Sequence, residues 1–181
     1  PGAPTLYYGD EAGVCGFTDP DNRRTYPWGK EDKDLIRFYK EIIAIHKKYP
    51  VLIDGSLMAL YNDYNILAYG RFNITEQMVI VLNNRNEQVH VEIPVWLTGM
   101  KRSEETEMVE IFRTDAVSFR RMEGVHEVNA GILEMDLLPL SAVILHREEK
   151  AQLERDRAVL ADETKTAVSL CMFFYLLTAL S

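Results

Sequence analysis

Residues 1–28, PGAPTLYYGDEAGVCGFTDPDNRRTYPW, hold the stretch around which the rest of the chain is organised. Pro1 and Pro4 bar a helix at the start, and Thr5-Leu6-Tyr7-Tyr8 is too short to form one. As a strand, this segment needs cover on both faces, which suits a central parallel strand beneath helices. Gly9-Asp10-Glu11 then ends the run with a turn and two carboxylates. A buried strand that stops in this way is what a parallel β/α barrel presents at its rim.

Residues 9–28 are long for a strand-to-helix connection, and loops of that length are usually functional. Gly9, Gly13 and Gly16 permit tight backbone, while Pro20 and Pro27 stiffen it. The pattern PGxPxxYYGDExGxxGxxDPxNRxxxPW resembles the end of the catalytic barrel in the α-amylase family of glycoside hydrolases. Within that family it is most similar to the neopullulanase, cyclomaltodextrinase and maltogenic amylase group. The resemblance implies that the chain is the C-terminal third of a larger enzyme. It also implies that the family's nucleophile Asp, acid Glu and third Asp belong to earlier strands, so that no catalytic residue is expected here.

Asp19 and Arg23 are the candidate substrate-binding residues. An aspartate accepts hydrogen bonds from two adjacent sugar hydroxyls, and a guanidinium donates several in a fixed plane. The same spacing also suits an ion pair internal to the loop, with Asp19 capping local N–H groups. Spacing alone leaves both readings open; the resemblance implies the first, a clamp on one glucosyl ring. Arg24 reads as solvated. Asp10 and Glu11 do not read as a catalytic pair. A retaining glycosidase needs carboxyl groups roughly 5–5.5 Å apart across one bond, whereas adjacent residues leaving a strand point in opposite directions. They read as rim groups that fix loop and substrate. Tyr7, Tyr8, Tyr26 and Trp28 carry rings suited to the apolar face of a sugar. Tyr7 and Tyr8 read as core, and Trp28 stays open.

Asp32 is placed to N-cap a helix running to about residue 48, which Pro50 stops. Leu35, Tyr39, Ile42, Ile43 and His46 fall on one stripe, expected to pack as the last barrel helix. His46 on that stripe reads as structural. Residues 1–50 are thus expected to form the C-terminal end of a catalytic (β/α)8 barrel. Beyond them the period changes to alternation, with strands expected at 57–61, 66–72, 78–83, 89–95, 108–112, 132–137 and 142–146. Asn62-Asp63, the run 83–86 and Asn129-Ala130-Gly131 supply turns. Seven short strands over 51–147 predict an antiparallel β-sandwich, the domain that the resembled family carries after its barrel. Residues 101–107 read as a solvated loop, and His90, His126 and His146 lack ligand spacing. Trp96 reads as buried, and the sandwich reads as a scaffold covering the outer side of the barrel.

Residues 148–181 begin charged and become almost wholly apolar at 167–180, a run shorter than the roughly 20 residues that span a bilayer. No membrane partner is therefore expected. A net charge of −8 without a basic cluster argues against nucleic acid. Cys15 and Cys171 follow no metal or redox spacing, which fits reduced thiols in a cytoplasmic protein. No cofactor and no metal is expected.

The first functional expectation is the C-terminal part of a retaining hydrolase of α-1,4- and α-1,6-glucans, whose partner is an α-glucan oligosaccharide. The chain alone is expected to be inactive. The alternative is a non-catalytic β-sandwich module that binds carbohydrate or a partner protein. One strand and one helix of a barrel leave apolar faces uncovered, which points to a homo-oligomer.

Overall fold

The computed structural model describes residues 4–121 and 124–148. The tail expected at 148–181 lies outside the described residues, apart from its first position. Pro1–His146 make one compact unit; of the second, Arg147–Ser181, only Arg147 and Glu148 are described.

The chain opens with two short 3-10 turns, Asp10–Ala12 and Asp21–Arg23. Helix α1 (Lys33–Lys48) begins at the expected cap: Asp32 Oδ1 accepts from the N–H groups of Asp34 (3.1 Å) and Leu35 (2.9 Å). It ends with His46, Lys47 and Lys48 in its last turn, where positive charge suits the free carbonyls. Pro50 then leads into the single turn α2 (Val51–Asp54).

Nine strands follow among the described residues: β1 (Ser56–Asp63), β2 (Ile66–Phe72), β3 (Glu76–Asn83), β4 (Val89–Ile93), β5 (Thr106–Thr114), β6 (Phe119–Arg120), β7 (Gly124–Asn129), β8 (Ile132–Leu137) and β9 (Ser141–Glu148). Their order is β1-β2-β3-β9-β5-β7-β8-β4, with β6 on β5. Every pairing with a defined register is antiparallel. The expectation was a two-sheet sandwich. Instead one hydrogen-bonded sheet curls on itself, between a barrel and a sandwich. Strands from both ends of the order share one core: Ile66 and Val81 are buried with Val91, Leu133 and Leu137. Bulges in β1 after Ala59 and in β5 after Glu110 supply local bending.

The outer face of the sheet is covered too. Met78, Ile80, Phe112 and Ile144 pack against Phe38, Ile42, Ile45 and Tyr49 of α1 and its cap. This is why β3 is apolar on both faces, a pattern otherwise typical of parallel strands. The packed stripe of α1 is therefore not the expected one; only Ile42 is common to both. The helix carries two neighbouring apolar stripes, and the sheet is the partner that one of them meets.

Two further expectations are corrected. Residues 4–7 form no strand, and Leu6, Tyr7 and Tyr8 are exposed rather than core, Tyr7 by 56%. No parallel neighbour exists for them among the described residues, and a lone segment cannot satisfy its backbone as a strand. The turn expected at Asn62-Asp63 falls two residues later, closed by Asn65 at φ 70°.

Candidate functional site

The glycine-rich loop is pinned at several points. Gly9 (φ 85°) and Gly13 (φ 74°) bracket the first 3-10 turn, conformations that a side chain resists. Asp10 Oδ2 accepts from the Tyr7 N–H at 3.2 Å, and the Asp32 N–H donates to the Ala12 carbonyl at 3.2 Å. The loop is thereby tied to the cap of α1. The Tyr8 hydroxyl donates to the Asn22 carbonyl at 3.3 Å, and the Phe17 N–H to Asp21 Oδ2 at 3.1 Å.

Asp19 and Arg23 are brought together on this frame, across a cis Asp19-Pro20 peptide. Arg23 Nε donates to Asp19 Oδ1 and Nη2 to Oδ2, both at 3.1 Å. The two side chains are 61% and 71% exposed. A forked pair this open to water adds little stability and is readily opened. It presents acceptors and in-plane donors side by side, the two functions that vicinal hydroxyls need.

Arg24, expected to be solvated, is 56% exposed and also donates to Asp21 Oδ1 through Nη2 (2.6 Å) and Nε (3.0 Å). That bond holds the Asp21 carboxyl below the usual carboxylate range; desolvation opposes it and the Phe17 N–H assists. The i, i+3 spacing of Asp21 and Arg24 was the available signal. Between the two pairs, Asn22 Oδ1 is buried without a hydrogen-bond partner among the described residues. Sequence reasoning missed it, because an asparagine in a turn is ordinarily a turn former. Asp10 and Glu11 sit consecutively in one 3-10 turn, where the Asp10 carboxylate holds the Tyr7 N–H.

Tyr26 and Trp28 lie just beyond. Their ring centroids are 4.6 Å apart, inclined at 52°. Desolvation first, then the Glu11 and Glu31 carboxylates, push the Tyr26 phenol up.

The histidines of the β domain each face one carboxylate. His90 Nδ1 is 2.9 Å from Asp136, His126 Nε2 is 2.8 Å from Glu110, and His146 Nε2 is 2.9 Å from Glu76. Trp96 is half-buried, with the Arg102 guanidinium 4.9 Å from its ring centroid. A groove of about 630 Å³ runs between α1 and the sheet, its walls including Ile45, Tyr49, Val109, Ile111 and Val125. None of these features assembles a nucleophile with a base.

Residues 60–148, from β1 to the end of β9, match the family model described as the α-amylase C-terminal all-β domain. The chain belongs to the α-amylase family. An amylopullulanase of Thermoanaerobacterium thermosulfurigenes is 32% identical over 167 residues, covering 87% of this α-amylase-family chain and 8% of that protein. Neopullulanase 2 of Thermoactinomyces vulgaris is 36% identical over 104 residues, 55% of this chain and 18% of that protein. The crystal structure of an α-amylase from Geobacillus thermoleovorans, complexed with acarbose, superposes with a TM-score of 0.65 at 25% identity. That match covers 82% of this chain and 31% of the solved one. The chain thus spans less than a fifth of the two curated relatives.

Proposed function

We propose that this chain is the C-terminal part of a retaining glycoside hydrolase acting on α-1,4- and α-1,6-glucans, such as starch oligosaccharides, pullulan and cyclodextrins. Residues 1–50 contribute the end of its catalytic barrel, and residues 51–147 the β domain that supports it. The carrying observation is the similarity to an amylopullulanase over 87% of the chain, which must reach well outside residues 60–148 into the loop and α1.

In this reading the chain supplies substrate contact and scaffold, not the bond-breaking groups. Retaining hydrolysis needs a nucleophile and an acid–base carboxyl facing one glycosidic bond at roughly 5–5.5 Å. Asp10 and Glu11 do not supply them, since Asp10 is engaged with the Tyr7 N–H and its neighbour follows in the same turn. Asp19 and Arg23 instead open towards one glucosyl ring: the carboxylate accepts from vicinal hydroxyls while the guanidinium donates to ring and hydroxyl oxygens. Each such charged hydrogen bond contributes about 1.5–3 kcal/mol once water is excluded. The β domain acts through α1, whose Phe38, Ile42 and Ile45 seat on the sheet.

Two measurements on the purified chain test this. Incubation with pullulan and cyclodextrin is expected to release no reducing sugar, and turnover would overturn the division of labour. Calorimetric titration with maltotriose is expected to show binding that falls at least tenfold in Asp19→Asn and Arg23→Ala. Unchanged affinity in both variants would remove the clamp.

A further inference from the structure

We propose that Tyr26 and Trp28 form an aromatic platform for a second glucosyl unit, next to the Asp19–Arg23 clamp and on the same glucan chain. The proposal rests on the glucan reading above and extends it to residues that neither the clamp nor the β domain uses.

Trp28 is 80% exposed, whereas the chain's other tryptophan, Trp96, is half-buried beneath Arg102. A large ring in water has about 1.5–3 kcal/mol of burial to gain from a ligand, and a binding role needs both a fixed geometry and a matching ligand chemistry. Backbone geometry supplies one part. The Trp28 N–H donates to the Tyr26 carbonyl at 2.9 Å, the Lys30 N–H to the Pro27 carbonyl at 2.8 Å, and the Gly29 N–H to Glu31 Oε1 at 3.0 Å. Three hydrogen bonds and a proline thus fix the turn 26–31, which leaves Trp28 exposed with the half-buried Tyr26 against it. Rings fixed in advance lose little freedom when a ligand arrives.

Chemistry supplies the other part. A pyranose offers apolar C–H faces to an aromatic ring and hydroxyls at its edge. Glu31 Oε1 is held within the same turn by the Gly29 N–H, which sets a carboxylate acceptor beside the aromatic pair in the chain. That combination favours a neutral polyol and repels anionic ligands. Reach is also right. Arg23 and Tyr26 are three positions apart, so their Cα atoms lie within about 11 Å of each other. One short oligosaccharide can therefore touch clamp and platform together.

The test is calorimetric titration of the full 181-residue chain with maltose and maltohexaose, using wild type, Trp28→Ala, Trp28→Phe and Asp19→Asn. Trp28→Ala is expected to weaken maltohexaose about three- to tenfold and to remove most of the affinity gained between maltose and maltohexaose. Trp28→Phe, which keeps a stacking face, is expected to restore that gain. Wild-type tryptophan emission is expected to change saturably with maltohexaose. If Trp28→Ala binds maltohexaose like wild type while Asp19→Asn loses it, the platform is overturned and the glucan reading stands. If wild type binds neither sugar, both fall.

Discussion

The Arg113 guanidinium donates two hydrogen bonds to the Glu110 carboxylate, both at 2.6 Å, from three residues along the same strand. The bulge in β5 lies between them and permits this approach. The Glu110 side chain is only 1% exposed, and His126 of β7 completes its surroundings. Burial alone would raise the carboxyl, but the bonds from Arg113 and His126 outweigh it and hold Glu110 down to about 2.

This arrangement predicts acid sensitivity. The folded value lies below the ordinary 4.5, so the pair's contribution is complete above about pH 4.5 and is lost as pH falls towards 2. The full contribution is about 3 kcal/mol. Urea midpoints are expected to fall steeply between pH 4.5 and 2 in the native chain. Glu110→Gln should be less stable at pH 7 and flatter across that window; an equally steep fall in the variant would rule the pair out as its source.

Arg71 makes a second prediction. It is buried on β2, and its Nε and Nη2 donate to the carbonyls of Val51 (3.3 Å) and Ile53 (3.2 Å). The Val51 carbonyl also accepts from the Gly55 N–H at 3.0 Å, whereas the Ile53 carbonyl is one that the single turn of α2 cannot satisfy itself. Arg71→Met keeps the stem but not the donors, and is expected to cost about 2 kcal/mol. A melting temperature within a degree of wild type would show that water replaces the guanidinium without penalty.

These two residues also show what the sequence made legible. Alternation placed seven strands, and Asp32 marked the start of α1, because both signals are local. Strand β7 escaped notice: in Gly124–Asn129 the apolar side chains stand at 125 and 128, a spacing of three that no strand period produces. It is held by pairing with β5 and β8 rather than by its own pattern. The face of α1 was misread for a related reason. Two apolar stripes adjoin on that helix, and only a distant partner, Phe112 among others, decides between them. In the loop, the i, i+4 spacing of Asp19 and Arg23 foretold their meeting. The buried Asn22 oxygen between the two ion pairs depends on how the loop closes, which no local pattern encodes.

Gly131 and Gly29 give a paired test of backbone strain against crowding. Their φ angles are alike, 78° and 76°. A Cβ at Gly131 would lie 2.5 Å from the Trp96 Cβ, whereas nothing lies within 4 Å of one at Gly29. Gly29→Ala is expected to lose only the left-handed penalty, about 1–3 kcal/mol at most. Gly131→Ala should lose clearly more, because the Ala130-Gly131 turn and the Trp96 segment must separate. Equal losses in a urea titration would mean that the Trp96 segment yields freely.

The last prediction joins the β domain to the loop. Phe112 is buried beneath α1, its ring centroid 6.1 Å from that of Phe38 and 5.9 Å from that of Phe119. Phe112→Ala removes the centre of this cluster, at about 3–5 kcal/mol. The loss falls on the outer face, while the interior with Val91 and Leu133 keeps its contacts. Hydrogen exchange should therefore quicken in α1 more than in β4 or β8. The loop is bonded to the α1 cap through Asp32 and Ala12, so loosening the helix should also weaken maltotriose binding at Asp19 and Arg23. Leu133→Ala, with a comparable stability loss inside the sheet, should leave that binding nearer wild type. If both variants bind alike at a temperature where both are folded, α1 does not transmit support from sheet to loop, and the β domain's role must be sought elsewhere on its surface.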